Sequence, residues 1–234
     1  MKKSLTFIFF ALITIVPFAQ SNSKLENKKI ARISYAVKGG LNLSNMLIID
    51  EDGTRRKDTK NKTGFNFGIT ADFPISKTVD FETGLLLSTK GFKISDKKIN
   101  NGITYEDKGS TNLLYLDIPL TAKTYYNIGA SKIYGVFGPY LGVGLSGKSK
   151  YESISINGTE SDEQEVNWGS GVSDDIKRID FGLTLGAGME INSVLIGLSY
   201  NLGLANISGV NDHVQKINNK VLGLSIGYKF KSKE

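Results

Sequence analysis

Cysteine is absent from the 234-residue chain, which removes disulfides, thiolate metal sites and cysteine nucleophiles together. Histidine is almost absent too. With His213 alone there is no imidazole set for a zinc site and little basis for a Ser-His-Asp hydrolase. Proline is scarce at four residues while glycine is abundant at 26, about 11% against a usual value near 7%. That balance excludes collagen-like and proline-rich disordered chains, and twelve Phe with ten Tyr argue against a disordered tail. Long apolar runs are also missing. The single candidate, residues 5–16, falls short of the roughly 20 residues that a spanning helix needs. Lys2 and Lys3 precede this run, Pro17-Phe18-Ala19 follows it and Gln20 comes next, so residues 1–19 read as a secretory leader. Residues 20–32 then form a short periplasmic segment. The formal charge of +6 falls by two when Lys2 and Lys3 leave, and acids and bases interleave throughout, so the composition selects no nucleic-acid partner.

What is present is alternation with a period of two, the pattern of half-buried strands. Eight segments carry it: 33–45, 64–73, 79–90, 113–124, 133–146, 179–191, 194–202 and 221–230. The clearest sets Leu114, Leu116, Ile118, Leu120 and Ala122 against Asp117, Thr121 and Lys123. The connections alternate in length. Short turns fall near 75–77, 127–131 and 192–193, and long polar loops near 46–63, 92–112, 147–177 and 205–220. A meander with tight turns at one end and long loops at the other is the pattern of a closed, eight-stranded, antiparallel up-and-down transmembrane barrel over residues 33–230. Residues 231–234 form a short tail. An even strand count puts both ends of the barrel at the short-turn, periplasmic side.

Alternation does not say which face is outside, and a soluble lipocalin-like barrel would turn the apolar face inward around a ligand. Three features favour the apolar face outward. Its opposite is rich in glycine, which suits a crowded lumen. All four long loops share one end. Aromatics sit near the strand ends on the apolar face: Tyr35, Phe73, Phe81, Tyr228 and Phe230 at the short-turn end, Phe65 and Phe181 at the other, as in a lipid-facing girdle. Pro119 and Pro139 lie inside strands, donate no ladder hydrogen bond and predict local bulges.

Several segments resemble a known family. Leu116-Asp117-Ile118-Pro119-Leu120, Gly138-Pro139-Tyr140-Leu141-Gly142, the run Phe181 to Gly188, Tyr200 to Ile207, and the closing Gly227-Tyr228-Lys229-Phe230 resemble the Bacteroidota PorT-like, or "porin family", outer-membrane β-barrels. The resemblance covers nearly all of residues 35–230. It implies the barrel fold, and the family it resembles includes a component associated with type IX secretion, a role that fold alone does not transfer. Two departures stand out: Ser199 replaces an Arg common in that family, and residues 231–234 follow the terminal aromatic.

Counting in from the strand ends places Lys38, Asp72, Glu82, Asp117, Lys123, Asp180 and Glu190 inside the barrel. Buried carboxylates need partners, so these residues are expected to form an interior ion-pair network in which the acids pair with Lys38, Lys123 or one another through a shared proton or water. The sharper alternative is a proton or cation path. Catalysis by the acids lacks a substrate pocket, and no cofactor or metal site is apparent. The third loop carries an excess of acids over lysines and reads as solvated and mobile, with Trp168 as a small packing anchor. These features favour a non-enzymatic outer-membrane barrel with a side-chain-filled lumen, serving the envelope or contacting partners through its loops. Membrane lipid is the first expected partner and an envelope or secretion protein the second. The alternatives are a narrow porin-like channel, a secretion accessory and, more remotely, the soluble lipocalin-like barrel.

Overall fold

The computed structural model describes residues 33–50, 52–100, 103–156, 158–171, 174–209 and 216–230. The leader at 1–19, the segment 20–32, the tail 231–234 and His213 lie outside the described residues.

The elements are all strands: β1 (Ser34–Ile49), β2 (Thr59–Lys60), β3 (Lys62–Pro74), β4 (Val79–Asn100), β5 (Ile103–Ile128), β6 (Ser131–Ser155), β7 (Gly158–Glu165), β8 (Ile179–Ile191), β9 (Val194–Gly203) and β10 (Lys216–Phe230). Eight of them close a ring. Each of β1, β3, β4, β5, β6, β8, β9 and β10 pairs antiparallel with the next, and β10 returns to β1 from Tyr35↔Phe230 to Ile49↔Lys216. A closed ring leaves no row of unpaired amides in lipid, where each would cost several kcal/mol. The turns suit their residues. Asn192 takes the left-handed conformation (φ 56°) between β8 and β9, and Gly129 does so (φ 58°) between β5 and β6.

The faces follow the alternation. Leu41 and Leu185 are each 61% exposed on the outer surface, whereas Asp180 and Lys123 are fully buried inside. Exposed Leu, Ile and Phe cover the outer wall of most ring strands, far beyond the few hundred Å² of contiguous apolar patch that a water-soluble monomer shows. An inward apolar face, as a lipocalin-like barrel requires, is therefore excluded. Tyr35, Phe65, Phe73, Phe181, Tyr228 and Phe230 are all exposed on this wall, and Phe81 is half-buried against Phe73, ring centroids 6.4 Å apart.

Three expectations need correction. The strands do not stop at the apolar belt: β4, β5 and β6 run to 22, 26 and 25 residues, so most of the expected second loop is a continued β4–β5 hairpin. Much of the third loop is likewise strand, with β7 folding back on β6 as a free edge whose eight residues are all exposed and include four acids. Such charges discourage edge-to-edge pairing. The prolines do not bulge. Ladder pairs are skipped beside Pro119, but the register on either side is unchanged, because a missing N–H removes a rung without inserting a residue. The register shift lies instead at Leu114/Tyr115, where β6 accommodates the extra Leu145.

Candidate functional site in the barrel lumen

The inward residues of eight strands converge on three stacked layers. The lowest, near the short turns, joins three lysines to three carboxylates. Glu82 Oε2 accepts from Lys38 Nζ at 2.6 Å and from Lys123 Nζ at 2.9 Å. Lys123 also reaches Asp72 Oδ2 at 3.1 Å, and Lys229 Nζ bridges Asp72 Oδ2 (3.1 Å) and Glu190 Oε2 (3.3 Å). The Tyr125 hydroxyl donates to Asp72 Oδ2 at 3.2 Å. Tyr134 lays its ring face 4.8 Å from Lys123 Nζ. Charge is balanced, which matters because an ion taken from water costs several kcal/mol unless a close opposite charge and hydrogen bonds replace its hydration.

The second cluster lies higher. Lys90 Nζ is fully buried between Asp117 Oδ1 (2.8 Å) and Asp180 Oδ2 (3.0 Å), with the rings of Tyr115 and Tyr140 at 4.5 and 4.7 Å. Asp180 Oδ2 also accepts from the Tyr140 hydroxyl (3.1 Å) and from the Asn219 amide (2.9 Å). Between the clusters sits a chamber of about 110 Å³ whose lining includes Lys38, Glu82, Asp117, Tyr134, Tyr140 and Ser199. That volume holds a few water molecules, each needing about 30 Å³ in the liquid.

The third layer is an apolar plug at the mouth. Met46 and Ile48 from β1 and Leu113 and Tyr115 from β5 point inward and meet Val166 and Ile176 from the β7–β8 connection and Ala205 and Ile207 from the β9–β10 connection. Trp168 stands edge-on to Tyr115 at 5.7 Å. It seats over Gly144, where any β-carbon would overlap the indole. Backbone bonds hold the plug in place: Gly144 N to Arg178 O (2.7 Å), Lys177 N to Ile207 O (2.8 Å) and Gly209 N to Asp175 O (3.1 Å). This part of the third connection is thus packed structure, because its three apolar side chains Val166, Trp168 and Ile176, set in acidic surroundings, find a dry cavity to fill.

All seven residues expected inside are inside, but they do not form one network. Asp72, Glu82, Lys123, Lys38 and Glu190 belong to the lower cluster, Asp117 and Asp180 to the upper. Glu190 pairs with Lys229, not with Lys38, Lys123 or a neighbouring acid. The organising cation of the upper cluster, Lys90, and Lys229 were both missing from the expected site. Their parity was a usable signal, since Lys229 lies between outward Tyr228 and Phe230 and Lys90 shares the face of Glu82 and Ser88. Among the described residues, no group of three His, Cys, Asp or Glu side chains is spaced to hold a metal ion.

A closed antiparallel cylinder of eight strands, apolar without and ion-paired within, is a transmembrane β-barrel by construction. The chain belongs to the family of the outer membrane protein beta-barrel domain, whose model matches residues 18–209. No curated protein matches it. Among solved structures it is similar to Ail, the attachment invasion locus protein of Yersinia pestis (16% identity, covering 86% of this chain and 100% of that one, TM-score 0.33). It is also similar to OprG from Pseudomonas aeruginosa (16%, 85% and 96%, TM-score 0.38) and to Neisserial surface protein A (11%, 85% and 97%, TM-score 0.36).

Proposed function

We propose that this protein is a non-enzymatic integral barrel of the outer membrane, closed to solute flow, whose work is done by the strands that rise above the membrane. The observation that carries this reading is the stack of barriers across the lumen: two buried ion clusters and an apolar plug. A solute would have to separate Lys90 from both of its carboxylates and displace Trp168 before reaching the chamber. The carboxylates are engaged by lysines, which leaves no poised general base, and the long β4–β7 sheet offers an extended surface for contact. Export by the leader at 1–19, supported by Lys2 and Lys3 ahead of the apolar run 5–16, and kinship with PorT-like barrels of Bacteroidota, supported by the order of the quoted motifs, belong to the same reading.

The test is conductance of the refolded full-length chain in planar bilayers, where a silent membrane is expected. Steady, discrete openings would favour the narrow channel, whose supporting observation is the chamber between the clusters. Envelope fractionation tests the location, with recovery in the detergent-resistant outer-membrane fraction expected and recovery in the aqueous fraction refuting it. A secretion-machine role is tested by affinity purification from solubilised envelopes, and reproducible absence of secretion subunits counts against it.

A further inference from the structure

The outer wall changes chemistry at one height and on one side. Across β4, β5 and β6, the partners Leu87, Leu116 and Val143 form an outward apolar row, followed by Thr89, Leu114 and Ser146. The next row is Gly91, Asn112 and Lys148. Above it comes Lys93, Ser110 and Lys150, extended by Lys60 of β2, which pairs with Lys93. Ser95, Lys108 and Glu152 follow. Directly paired residues of antiparallel neighbours share a face, so these lysines continue the same face that meets lipid below. They border a hollow of about 450 Å³ lined by Lys60, Lys93, Lys108 and Lys150, with Glu152 its one carboxylate. Lys150 pairs with Glu152 (3.1 Å) and Lys108 with Glu106 (3.5 Å), while Lys60 and Lys93 have no carboxylate partner among the described residues. β8 and β9, on another part of the wall, carry no lysine at all.

The height selects the occupant. Successive outward rows are about 6.6 Å apart along a strand, or about 5 Å vertically at a tilt near 40°. The Lys60–Lys93–Lys150 row is two rows above Leu114, hence about 10 Å above the last apolar level. Headgroups occupy about 5–8 Å on each side of the hydrocarbon, and a lysine stem bends several Å toward them. The ammonium groups therefore reach the level of lipid phosphates.

We propose that this hollow is a binding site for the phosphate groups of outer-leaflet lipid, a phosphorylated glycolipid headgroup held beside the wall. The assignment rests on the membrane embedding proposed above, and it supplies that embedding with a fixed rotational side. Each ammonium near a phosphate surface strengthens binding about fivefold, so three removed together weaken it on the order of a hundredfold. The experiment uses the full-length chain folded in mild detergent, with native mass spectrometry counting retained lipid. The probes are diphosphorylated lipid A, the same lipid without its phosphates, and phosphatidylethanolamine.

The wild type is expected to retain the phosphorylated lipid preferentially, and K60Q/K93Q/K150Q to lose that preference. K77Q, in a periplasmic turn, is expected to keep it. Heat-modifiable gel migration confirms that each variant is folded, and K93Q alone serves if the triple variant is not. Equal retention of phosphorylated and dephosphorylated lipid, or undiminished retention by a folded lysine variant, overturns the proposal. So does displacement of the lipid by a soluble sulfated oligosaccharide at physiological salt, which would assign the hollow to free polyanions. None of these outcomes bears on conductance or fractionation, so failure here is separable from failure of the closed-barrel reading.

Discussion

Lys90→Met keeps the approximate length of the side chain at the centre of the upper cluster and deletes its charge. Asp117 Oδ1 and Asp180 Oδ2, now 2.8 and 3.0 Å from that ammonium, are left as two buried carboxylates without a cation among the residues that surround them. Removing one partner of a buried ion set costs about 3–5 kcal/mol, since the orphaned charge has lost its hydration and gained nothing. With a urea slope of about 2 kcal/mol/M, the unfolding midpoint falls by about 1.5–2.5 M. The companion variant K90M/D117N/D180N removes all three charges and is expected to recover most of the loss, because the penalty comes from the unpaired ions rather than from the missing lysine. Equilibrium unfolding from lipid vesicles is followed by the fluorescence of Trp168, the sole tryptophan, which packs on Tyr115 beside Lys90. Gel migration provides a second, global readout. A K90M midpoint shifted by less than the equivalent of about 1 kcal/mol, or a triple variant no better than the single, refutes the reasoning.

Three further outcomes follow from the same structure. Leu224 lies midway along the outer face of β10 at 55% exposure, so Leu224→Arg should cost about 2–4 kcal/mol in vesicle folding, and a neutral result would place that face in water. Gly40 sits at the β1–β10 seam, where any β-carbon would overlap the Leu224 carbonyl. Gly40→Val should therefore cost about 1–3 kcal/mol or more and reduce the folded gel band, while an unchanged band would mean that the seam is looser than described. On the exposed β6–β7 hairpin, the hydrogen bond from Lys148 to Glu163 (2.7 Å) holds the Glu163 carboxyl below its ordinary range. A depressed carboxyl favours the folded contact above the ordinary Glu range and loses it as pH falls through the lowered value. Lys148→Gln should return the Glu163 titration upward in carboxyl NMR spectra, and an unmoved titration would show that the contact is not formed in solution.

Within the belt, the chain's own pattern was sufficient to read the architecture. Lipid on one side and a crowded lumen on the other force each strand to alternate, so residues such as Leu116 and Asp117 declare their faces one by one. Above the belt most of the sheet meets water on both faces and the alternation loses its cause: Phe92 and Ile94 still alternate with Lys93 and Ser95, but the polar run from Asp96 to Lys98 breaks the pattern that would have marked the rest of β4 and its partner β5 as strand. The acidic stretch from Lys148 to Glu165 concealed a hairpin for the same reason.

Parity put Asp72, Glu82, Asp180 and Glu190 in the lumen, yet nothing local could say which cation each would meet. Lys229 reaches Glu190 past the intervening β9, and Lys90 reaches Asp180 from 90 positions away. Those distances depend on how the ring closes and how its strands stagger. Trp168 read as a packing anchor with no stated partner, and Val166 and Ile176 gave no sign at all, because a few apolar residues in a polar connection become a plug only once a barrel mouth of the right width stands beneath them. Alternation is a property of each strand alone, and one chain suffices to write it. Pairing across a lumen is a property of the closed cylinder, and only the cylinder decides it.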